Sequence, residues 1–458
     1  MVVTPDPYAS EIACRILAAG GSAADAVVAA QFTLGLTEPQ SSGPGGGAVV
    51  VYYDAVADVV ETWDASVPAG EDGTDGTDGT DGASLTGVPQ TPRVMTSLHS
   101  RHGRLALDDL LAPAAELAED GFDVSRRLGQ AISRRSDVIE APWPEPLDSP
   151  RFTNPRYAQY LRGVEADDTL APEEPLCVGY RGHEVCGSGS TGTGMMIVAE
   201  TLGILDRIPL DDDGDGETGD PTHVVTEAER LALANAHTWM QDPAVDPELS
   251  REYVTSLVTD TGHHARQAAR IDPSATLGDI EPDPLTAGPG RYGSTRQKGT
   301  SQITVRDRDG SAASVTSTLH QHFGTGETVD GYFLNNSLEN FSPASKMVNV
   351  RRPGARPKTA MSPVIVLRDG APVIAVGSPG GGHIPSFVIK TLVGIIDLGL
   401  SAADAVEADN YGATGRRSTY VEGDGSGTNS ALSVIRVDGG VQGAADRRAD
   451  GAARTTGP

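Results

Sequence analysis

The chain has 458 residues and a formal net charge of −28, because 63 Asp and Glu residues outnumber 35 Lys and Arg residues. So acidic a composition excludes unassisted nucleic-acid binding as a main role and disfavours contact with anionic membranes. Only four of the basic residues are lysines, and many carboxylates with few lysines indicate adaptation to high salt rather than an acidic binding site. The length is sufficient for a large core and allows up to about three domains.

The cysteines and the N-terminus indicate the cellular compartment in which we expect the protein. The spacing of Cys14, Cys177 and Cys186 matches no metal-binding pattern. An odd number of cysteines also argues against a framework of disulfides. Cys177 and Cys186 are near enough in sequence to pair, but we expect free thiols. No segment approaches the ~18 apolar residues of a membrane-spanning helix, and the N-terminus lacks the pattern of a signal peptide. We therefore expect a cytoplasmic protein, or an exported one if the sequence lacks its leader.

Hydrophobic periodicity predicts a mixture of helices and strands along the chain. Apolar residues at helical spacing predict helices over residues 23–33, 105–128, 195–205, 223–239, 249–271 and 385–398. Short apolar runs predict buried strands over residues 48–53, 60–68, 364–366 and 373–376.

Two acidic segments interrupt this pattern. Residues 71–82 repeat the triplet Thr-Asp-Gly and contain no apolar side chain, which predicts a disordered insertion. Residues 211–220, DDDGDGETGD, begin like a calcium-binding EF-hand loop, but Thr222 stands at the twelfth position, where that loop requires Glu. We interpret both segments as solvated acidic loops rather than calcium sites.

Residues 299–326, GTSQITVRDRDGSAASVTSTLHQHFGTG, read as a β-hairpin around which the chain is organised. Apolar Ile303 and Val305 alternate with polar residues, and a turn follows at residues 308–310. A three-residue loop with Gly310 in the left-handed conformation would place Thr300 opposite Thr318, whereas a two-residue loop would shift the pairing by one. Opposed residues lie within about 5.5 Å, so the first register brings two hydroxyls together at the mouth of the hairpin.

A threonine hydroxyl is a weak nucleophile unless a base lies beside it. Cutting the chain before the threonine supplies that base, because the new α-amine belongs to the same residue. The Gly299–Thr300 bond suits such a cut, since glycine tolerates a strained backbone and the preceding residues 294–298 are polar. The alternative is a surface hairpin with ordinary threonines.

Long sequence motifs in a fixed order give the strongest indication of a protein family. GTSQITVRDRDG, TSTLHQHFGTG, LNNSLENFS, RPKTAMSPVIV and GSPGGGHIPS resemble the γ-glutamyltranspeptidase (glutathione hydrolase) family of N-terminal-nucleophile hydrolases. The resemblance extends upstream through GGSAADAVVAA, TEPQSSGPGGGAVVVY, LLAPAAELAEDGFDVS and RGHEVCGSGSTGTG, and it returns in GAADRRADGAA near the end. It therefore spans nearly the whole chain.

The resemblance implies one α+β domain, residues 1–458, folded as a four-layer αββα sandwich. It also implies self-cleavage into a large subunit, residues 1–299, and a small subunit, residues 300–458, which stay together as a heterodimer. The residues after Gly412 are fewer than in the family, so we expect the last strand of the fold to be abbreviated.

The resemblance also assigns the catalytic roles. Thr300 matches the threonine that first cleaves the chain after Gly299 and then forms an acyl-enzyme with the substrate. Thr318 matches the threonine that orients this nucleophile. The backbone amides of Gly380 and Gly381 match the pair that stabilises the oxyanion, where glycine permits close approach. This chemistry requires no metal or organic cofactor.

The substrate-binding motifs depart from the family. Ser66 stands where relatives carry an arginine that binds the substrate's α-carboxylate, and a neutral hydroxyl cannot replace a bidentate guanidinium. Asn340 replaces the aspartate that binds the α-ammonium group. The other positions are Asn336, which is kept, His320 for asparagine, Ser337 for Gln or Glu, and Thr359 and Ala360 for two serines.

Three hypotheses follow. The first is an amidohydrolase or acyltransferase that acts on glutathione or another γ-glutamyl amide, with water or an amino acid or peptide as acceptor. The second keeps this machinery but accepts a non-glutamyl acyl group, such as a glutaryl group, and Ser66 and Asn340 favour it. The third is an unprocessed, non-catalytic binding protein. Thr300 and Thr318 argue against the third hypothesis.

Overall fold

The computed structural model describes residues 1–70, 85–139, 151–191, 193–210, 220–286, 299–342, 348–423 and 430–456. The predicted acidic loop at residues 71–82 lies outside these ranges, as do residues 211–219 of the second acidic loop and the polar residues 294–298. None of the helices in the described ranges is long and apolar enough to cross a membrane.

Two six-stranded antiparallel sheets dominate the fold. The first sheet has the strand order β18-β1-β8-β9-β2-β3, and the second has the order β17-β16-β13-β12-β7-β6. The strands are β1 (Val2–Thr4), β2 (Gly47–Asp54), β3 (Val59–Ala65), β4 (Phe122–Asp123), β5 (Arg151–Phe152), β6 (Pro175–Tyr180), β7 (His183–Ser188), β8 (Gly299–Arg306), β9 (Ala312–His320), β10 (Thr328–Val329), β11 (Tyr332–Phe333), β12 (Val364–Arg368), β13 (Ala371–Gly377), β14 (Tyr411–Ala413), β15 (Thr419–Val421), β16 (Ser433–Arg436), β17 (Gln442–Ala445) and β18 (Ala452–Arg454).

Helices cover the outer faces of both sheets. They are α1 (Pro7–Ala18), α2 (Ala23–Thr37), α3 (Thr91–His102), α4 (Leu107–Asp120), α5 (Arg126–Arg134), α6 (Pro155–Leu161), α7 (Thr193–Leu205), α8 (Pro221–Trp239), α9 (Pro247–Tyr253), α10 (Thr261–Ala268), α11 (Ile384–Ile396) and α12 (Ala402–Glu407).

Three hydrophobic clusters establish the layers. One cluster joins α1–α6 to the first sheet, and a second joins α7–α12 to the second sheet. A smaller cluster lies between the sheets, where Val51 of β2 and Ala312 of β9 meet Ile365 of β12 and Ala375 of β13. The order helix, sheet, sheet, helix is the predicted four-layer αββα sandwich.

Local sequence explains where the first helices begin. The Asp6 side chain accepts a hydrogen bond from Ala9 N at 2.9 Å and caps α1, which starts with a proline. Ser22 and Asp25 form a reciprocal capping box at the start of α2. Every residue of α2 is buried, and its many alanines let the helix pack closely beneath the first sheet.

Two predicted helices are interrupted in the structure. The segment 105–128 ends as α4 at Asp120, because Gly121 has a φ of +84° and Ser125 then caps a separate helix, α5. The segment 249–271 divides into α9, a π-helical turn and α10. There the Asp260 side chain accepts hydrogen bonds from Gly262 N and His263 N, which starts α10 afresh.

The expectation of three free thiols is wrong, because Cys177 and Cys186 form a disulfide. They lie directly opposite each other on β6 and β7, with their Cα atoms 4.1 Å apart. The register follows from a two-residue turn at Arg181 and Gly182, which both have positive φ. Cys14 is a buried free cysteine.

The region after Gly412 forms short strands that join both sheets. β16 pairs with β13 and β17 pairs with β16, so these strands extend the second sheet to its edge. β18 pairs with β1 and closes the edge of the first sheet. The C-terminal segment therefore contributes to both sheets.

Glu229 of α8 provides a test of the packing between α8, α11 and β14. It accepts hydrogen bonds from the Ser386 hydroxyl and, at 2.9 Å, from Ala413 N, yet burial raises its pKa from 4.5 to about 7. The folded protein thus binds this proton more tightly than the unfolded chain does, so the stabilisation is complete below about pH 4.5 and is lost as the pH rises to about 7.

We predict that Glu229→Gln removes this pH dependence. The free energy of unfolding of the wild type, relative to that of the variant, should fall by up to about 3 kcal/mol between pH 4.5 and 7.5. Urea denaturation of both proteins across this range measures the difference. Parallel stability curves would show that Glu229 titrates normally in the folded protein.

Candidate active site

The hairpin of β8 and β9 has the three-residue loop, the first of the two alternatives that the sequence left open. Asp307 N donates to Ser311 O at 2.9 Å, and Gly310 has a φ of +101°. Counting outward from this turn, Thr300 pairs with Thr318. Of the two registers that the sequence left open, the structure thus has the one that pairs Thr300 with Thr318, and both hydroxyls lie at the open end of the hairpin.

A β-bulge occurs beside this pair. Gly299 pairs with His320 while Thr300 pairs with Thr318, so Leu319 is an extra residue on β9. His320 has a φ of +78°, a left-handed conformation in which Asn, Asp and His are the enriched non-glycine residues. Bulges beside active sites redirect side chains, and this backbone conformation explains why a histidine fits where the motif leads one to expect an asparagine.

The Thr318 hydroxyl connects the proposed nucleophile to the bond that it would cleave. The Thr300 hydroxyl donates to Thr318 Oγ1 at 3.3 Å, and Thr318 Oγ1 donates in turn to the carbonyl oxygen of Gly299. His320 N also donates to Thr318 Oγ1, at 2.8 Å. Thr300 is fully buried, so these hydrogen bonds lie in a dry environment that strengthens them.

Glycine at position 299 is required by close contacts. A Cβ atom there would lie 2.8 Å from the backbone carbonyl of Gln321 and 2.9 Å from Gln40 O. Both neighbours are backbone groups, which cannot rotate away as a flexible side chain can. The backbone before Thr300 is thus held tightly by the segment that follows α2 and by the end of β9.

A buried ion pair fixes the next residue of β8. The Ser301 hydroxyl donates to Glu38 Oε2 at 2.9 Å, and Arg127 Nη1 donates to Glu38 Oε1, also at 2.9 Å. Burial raises the pKa of Glu38, although Arg127 and Ser301 oppose that effect. Glu38, in the upstream motif TEPQSS, therefore helps to hold β8, the strand that contains Thr300, in place.

A small cavity of about 20 Å³ lies against Thr318. A volume of this size holds about one water molecule, so binding of an acyl group requires the site to open. Six residues predicted for the active site line the cavity: Ser66, Thr318, His320, Ser337, Asn340 and Thr359. Asn336 lines a neighbouring cavity instead, and Ala360 is buried but does not line this one.

Two polar side chains in the cavity wall have unused hydrogen-bonding capacity. Both ring nitrogens of His320 and the hydroxyl of Ser337 are buried and make no hydrogen bond within the described part of the chain. Glu339 Oε2 lies 3.6 Å from His320 Nε2. Buried polar atoms are normally hydrogen-bonded, so these atoms are free to accept or donate hydrogen bonds towards the cavity.

Ser66 belongs to a dense polar network around Asp64. Ser66 N donates to Asp64 Oδ1 at 2.9 Å, and the Thr191 hydroxyl contacts both Asp64 and Ser66. Arg356 Nη1 donates to Asp64 O at 3.1 Å, and Nη2 donates to Asp242 at 3.2 Å. Burial acts to raise the pKa of Asp64, but Arg356, Ser66 and Thr191 together lower it.

Two positively charged side chains lie at this site that the sequence motifs did not indicate. Arg356 and Lys358 flank Pro357, and the loop before β12 brings both to the cavity region, where Lys358 lines the wall. The signal that could have revealed them is composition, since Lys358 is one of only four lysines in the chain. A rare lysine next to positions that the resemblance assigns to substrate binding could therefore have indicated that this loop lies near the cavity.

Gly380 and Gly381 follow β13 and precede α11. Their φ values of +142° and +64° disfavour any other residue, and a Cβ on Gly380 would lie 2.3 Å from Phe387 Cε2. At the end of β13, a Cβ on Gly377 would lie 2.4 Å from the side chain of Gln302, two residues after Thr300. The loop that contains Gly380 and Gly381 thus begins beside β8, the strand that contains Thr300.

Comparison with known proteins agrees with this geometry. The family model described as gamma-glutamyltranspeptidase matches residues 9–161 and 169–432. The glutathione hydrolase proenzyme of Bacillus subtilis strain 168 is 27% identical over 475 residues, covering 89% of this chain and 79% of that protein. The acylase ACY 1 proenzyme of Pseudomonas sp. strain SE83 is 26% identical over 469 residues, covering 89% of this chain and 81% of that protein.

The fold is similar to that of a solved acylase. The crystal structure of cephalosporin acylase from Bacillus halodurans superposes with a TM-score of 0.82, covering 100% of this chain and 96% of that chain. The two sequences are 21% identical in this superposition, so the likeness concerns the fold.

We predict that Thr318→Val slows cleavage of the chain at least about 10²-fold, because the Gly299 carbonyl loses its hydroxyl donor. Thr318→Ser keeps a hydroxyl and is the matched control. The rate is measured on denaturing gels as freshly purified full-length protein is incubated. Equal cleavage rates in the two variants would rule out a role for the Thr318 hydroxyl.

Proposed function

The chain belongs to the gamma-glutamyltranspeptidase family, and from this premise we propose that it is a self-processing amide hydrolase or acyltransferase with Thr300 as its nucleophile. The observation that carries the proposal is the chain of hydrogen bonds from the Thr300 hydroxyl through Thr318 to the carbonyl oxygen of Gly299. A nucleophile, its orienting group and the bond to be cleaved thereby meet at the mouth of one hairpin.

In the first reaction the protein cleaves itself. The Thr300 hydroxyl oxygen attacks the carbonyl carbon of Gly299, the peptide C–N bond breaks, and the nitrogen takes the hydroxyl proton. Thr318, which donates to the carbonyl oxygen, stabilises the negative charge that develops there. Water then hydrolyses the resulting ester, leaving a carboxylate on Gly299 and a free α-amine on Thr300.

In the second reaction that amine serves as the base. It accepts the hydroxyl proton as Thr300 Oγ1 attacks the substrate amide, and the leaving amine takes this proton as the amide C–N bond breaks. We assign the oxyanion donors to the backbone amides of Gly380 and Gly381, whose conformations favour glycine. Water, or the amine of an amino acid or peptide, attacks the acyl-enzyme and restores the hydroxyl.

Sheet topology supports a heterodimer after cleavage. Residues 1–299 would form the large subunit and residues 300–458 the small one. In the first sheet, β8 and β9 lie between β1 and β2, and in the second sheet β12 pairs with β7. Separating the two subunits would break both sheets, so they remain associated.

The identity of the acyl group is the more specific part of the proposal. Family membership favours the γ-glutamyl amide of glutathione or a related compound. Ser66, Asn340 and Thr359, all uncharged, line the cavity and favour a second candidate, an acylase with a glutaryl-like specificity. The similarity to acylase ACY 1 supports keeping this candidate.

We predict that Thr300→Ala remains a single chain and loses at least about 10³-fold in amide hydrolysis, because it lacks the nucleophile. The wild type should split before Thr300, and Thr300→Ser, which keeps a hydroxyl, should split more slowly. Intact masses and release of 4-nitroaniline from γ-glutamyl and glutaryl 4-nitroanilides, measured in high salt, test this.

One intact chain in all three proteins would contradict the enzyme proposal. It would favour the remaining alternative, an unprocessed binding protein. Splitting without hydrolysis of either anilide would support self-processing and leave the acyl group to be sought elsewhere.

A further inference from the structure

A layer of buried polar side chains lies between the two sheets, where β8 and β9 contact β13 and β16. The apolar residues of the hairpin, such as Ile303 and Val315, pack on its other face against the helices. The polar residues alternate with them and pair across the two strands: Thr300 with Thr318, Gln302 with Thr316, and Thr304 with Ser314. All six are at most 5% exposed. Buried polar side chains need hydrogen-bond partners, and here some of the partners belong to the second sheet.

Gln302 lies in the middle of this layer and is fully buried. Its Oε1 accepts a hydrogen bond from the Thr316 hydroxyl at 2.6 Å, and its Nε2 donates to the Ser314 hydroxyl at 2.9 Å. Nε2 also donates to Ile303 O at 3.2 Å. Both ends of the side-chain amide are therefore fixed to the hairpin, so the side chain cannot rotate without losing these bonds.

The same side chain contacts the start of the loop at residues 378–381, which we call the oxyanion loop because the oxyanion donors are assigned to it. The Ser314 hydroxyl, which accepts from Gln302, donates to Val376 O of β13 at 2.9 Å. Gly377 ends β13, and a Cβ atom there would lie 2.4 Å from Gln302 Cδ. Gln302 therefore joins β8 to the strand that leads directly into the oxyanion loop.

Other contacts hold the oxyanion loop against its own half of the sandwich. A Cβ atom on Gly380 would lie 2.3 Å from Phe387 Cε2 of α11, and Ala431 N donates to Ser378 Oγ at 3.3 Å. These contacts fix the loop relative to the second sheet and α11. Its position relative to β8 depends on how the two sheets are joined, and Gln302 contributes to that junction.

We propose that Gln302 is a positioning residue that sets the distance between the Thr300 hydroxyl and the oxyanion loop. The nucleophile and its oxyanion donors belong to different sheets, and a misplacement of about 1 Å can cost about 10²-fold in rate. Gln302 spans the gap between these sheets two residues after Thr300. This inference rests on the proposed function, to which it adds a residue that acts through the protein rather than on the substrate.

The two reactions of the proposed function should depend on Gln302 to different degrees. In self-cleavage, Thr318 donates to the carbonyl oxygen of Gly299, and that contact lies within the hairpin. In acylation, the donors belong to the oxyanion loop at the end of β13. Loss of the Gln302 amide should therefore slow acylation and leave splitting before Thr300 nearly unchanged.

The test uses 4-nitrophenyl acetate, whose small acetyl group avoids the question of acyl specificity. The burst of 4-nitrophenol from the split protein, above the signal of Thr300→Ala, measures acylation of Thr300. In Gln302→Met, which has a similar size but no amide, the burst rate should fall about 10- to 10²-fold. Splitting, followed on denaturing gels, should proceed as in the wild type.

Thr304→Val is the matched control. It removes a buried hydroxyl from the same face of β8, one that donates to Ser433 O of β16 at 3.1 Å. Gln302 keeps its bonds to Thr316 and Ser314 in this variant. Thr304→Val should therefore keep the wild-type burst rate, even where thermal denaturation shows that it is as destabilised as Gln302→Met.

Gly377→Ala tests the same contact from the other sheet. Its methyl group would press on the Gln302 side chain, which hydrogen bonds hold in place, so this variant should also slow the burst. Gln302→Ala makes room for the methyl group. In the double variant, Gly377→Ala should therefore add little to the loss caused by Gln302→Ala alone, because the effects of residues in contact are not additive.

An unchanged burst rate in Gln302→Met would overturn the inference and leave the proposed function intact. A loss of splitting as large as the loss of acylation would also overturn it, since that result indicates general damage to the hairpin. If the Gln302 variants fail to fold, Gly377→Ala still decides, because a wild-type burst rate in it would overturn the inference. A wild type that stays one chain, or that splits without a burst above Thr300→Ala, would refute the proposed function itself.

Discussion

The contact between the Thr300 and Thr318 hydroxyls is the constraint on which the rest of the structure depends. It exists only in one register of β8 and β9, which the three-residue turn at Gly310 sets, and the bulge at Leu319 changes the pairing only beyond this contact. A slip of one residue would point either hydroxyl to the opposite face of the sheet. The two strands are therefore placed in the middle of the first sheet, with β1 and β2 paired to their outer edges. If the chain is cleaved before Thr300, this placement would keep its two halves together.

Charge is distributed very differently on the surface and in the site. The chain carries a net charge of −28, yet both lysines in its described part, Lys358 and Lys390, are buried. Salt screens exposed charges that lie more than about 8 Å apart at physiological ionic strength. A buried ammonium is screened much less. High salt thus weakens the mutual repulsion of the surface carboxylates and affects the two buried lysines much less.

Much of the fold could be predicted because its elements carry local signals. The alternation of apolar residues and the Arg-Asp-Gly turn predicted the hairpin and reduced its register to two alternatives, and long motifs indicated the sandwich. The disulfide was missed because a separation of nine residues does not reveal that Cys177 and Cys186 are opposed; the two-residue turn at Arg181 determines that. The positions of Arg356 and Lys358 near the cavity were missed for a similar reason. Their loop acquires its meaning only when tertiary packing brings it to Ser66 and Asp64, which lie almost 300 positions earlier.

The most direct measurement of the central claim is the mass of a trapped acyl-enzyme. The purified protein is mixed with an activated glutaryl or γ-glutamyl ester, quenched in acid within seconds, digested and analysed by mass spectrometry. If Thr300 is the nucleophile, the acyl mass is found on the peptide that begins with Thr300, and only in chains that have split. Acylation of any other residue, or of the uncut chain, would contradict the account.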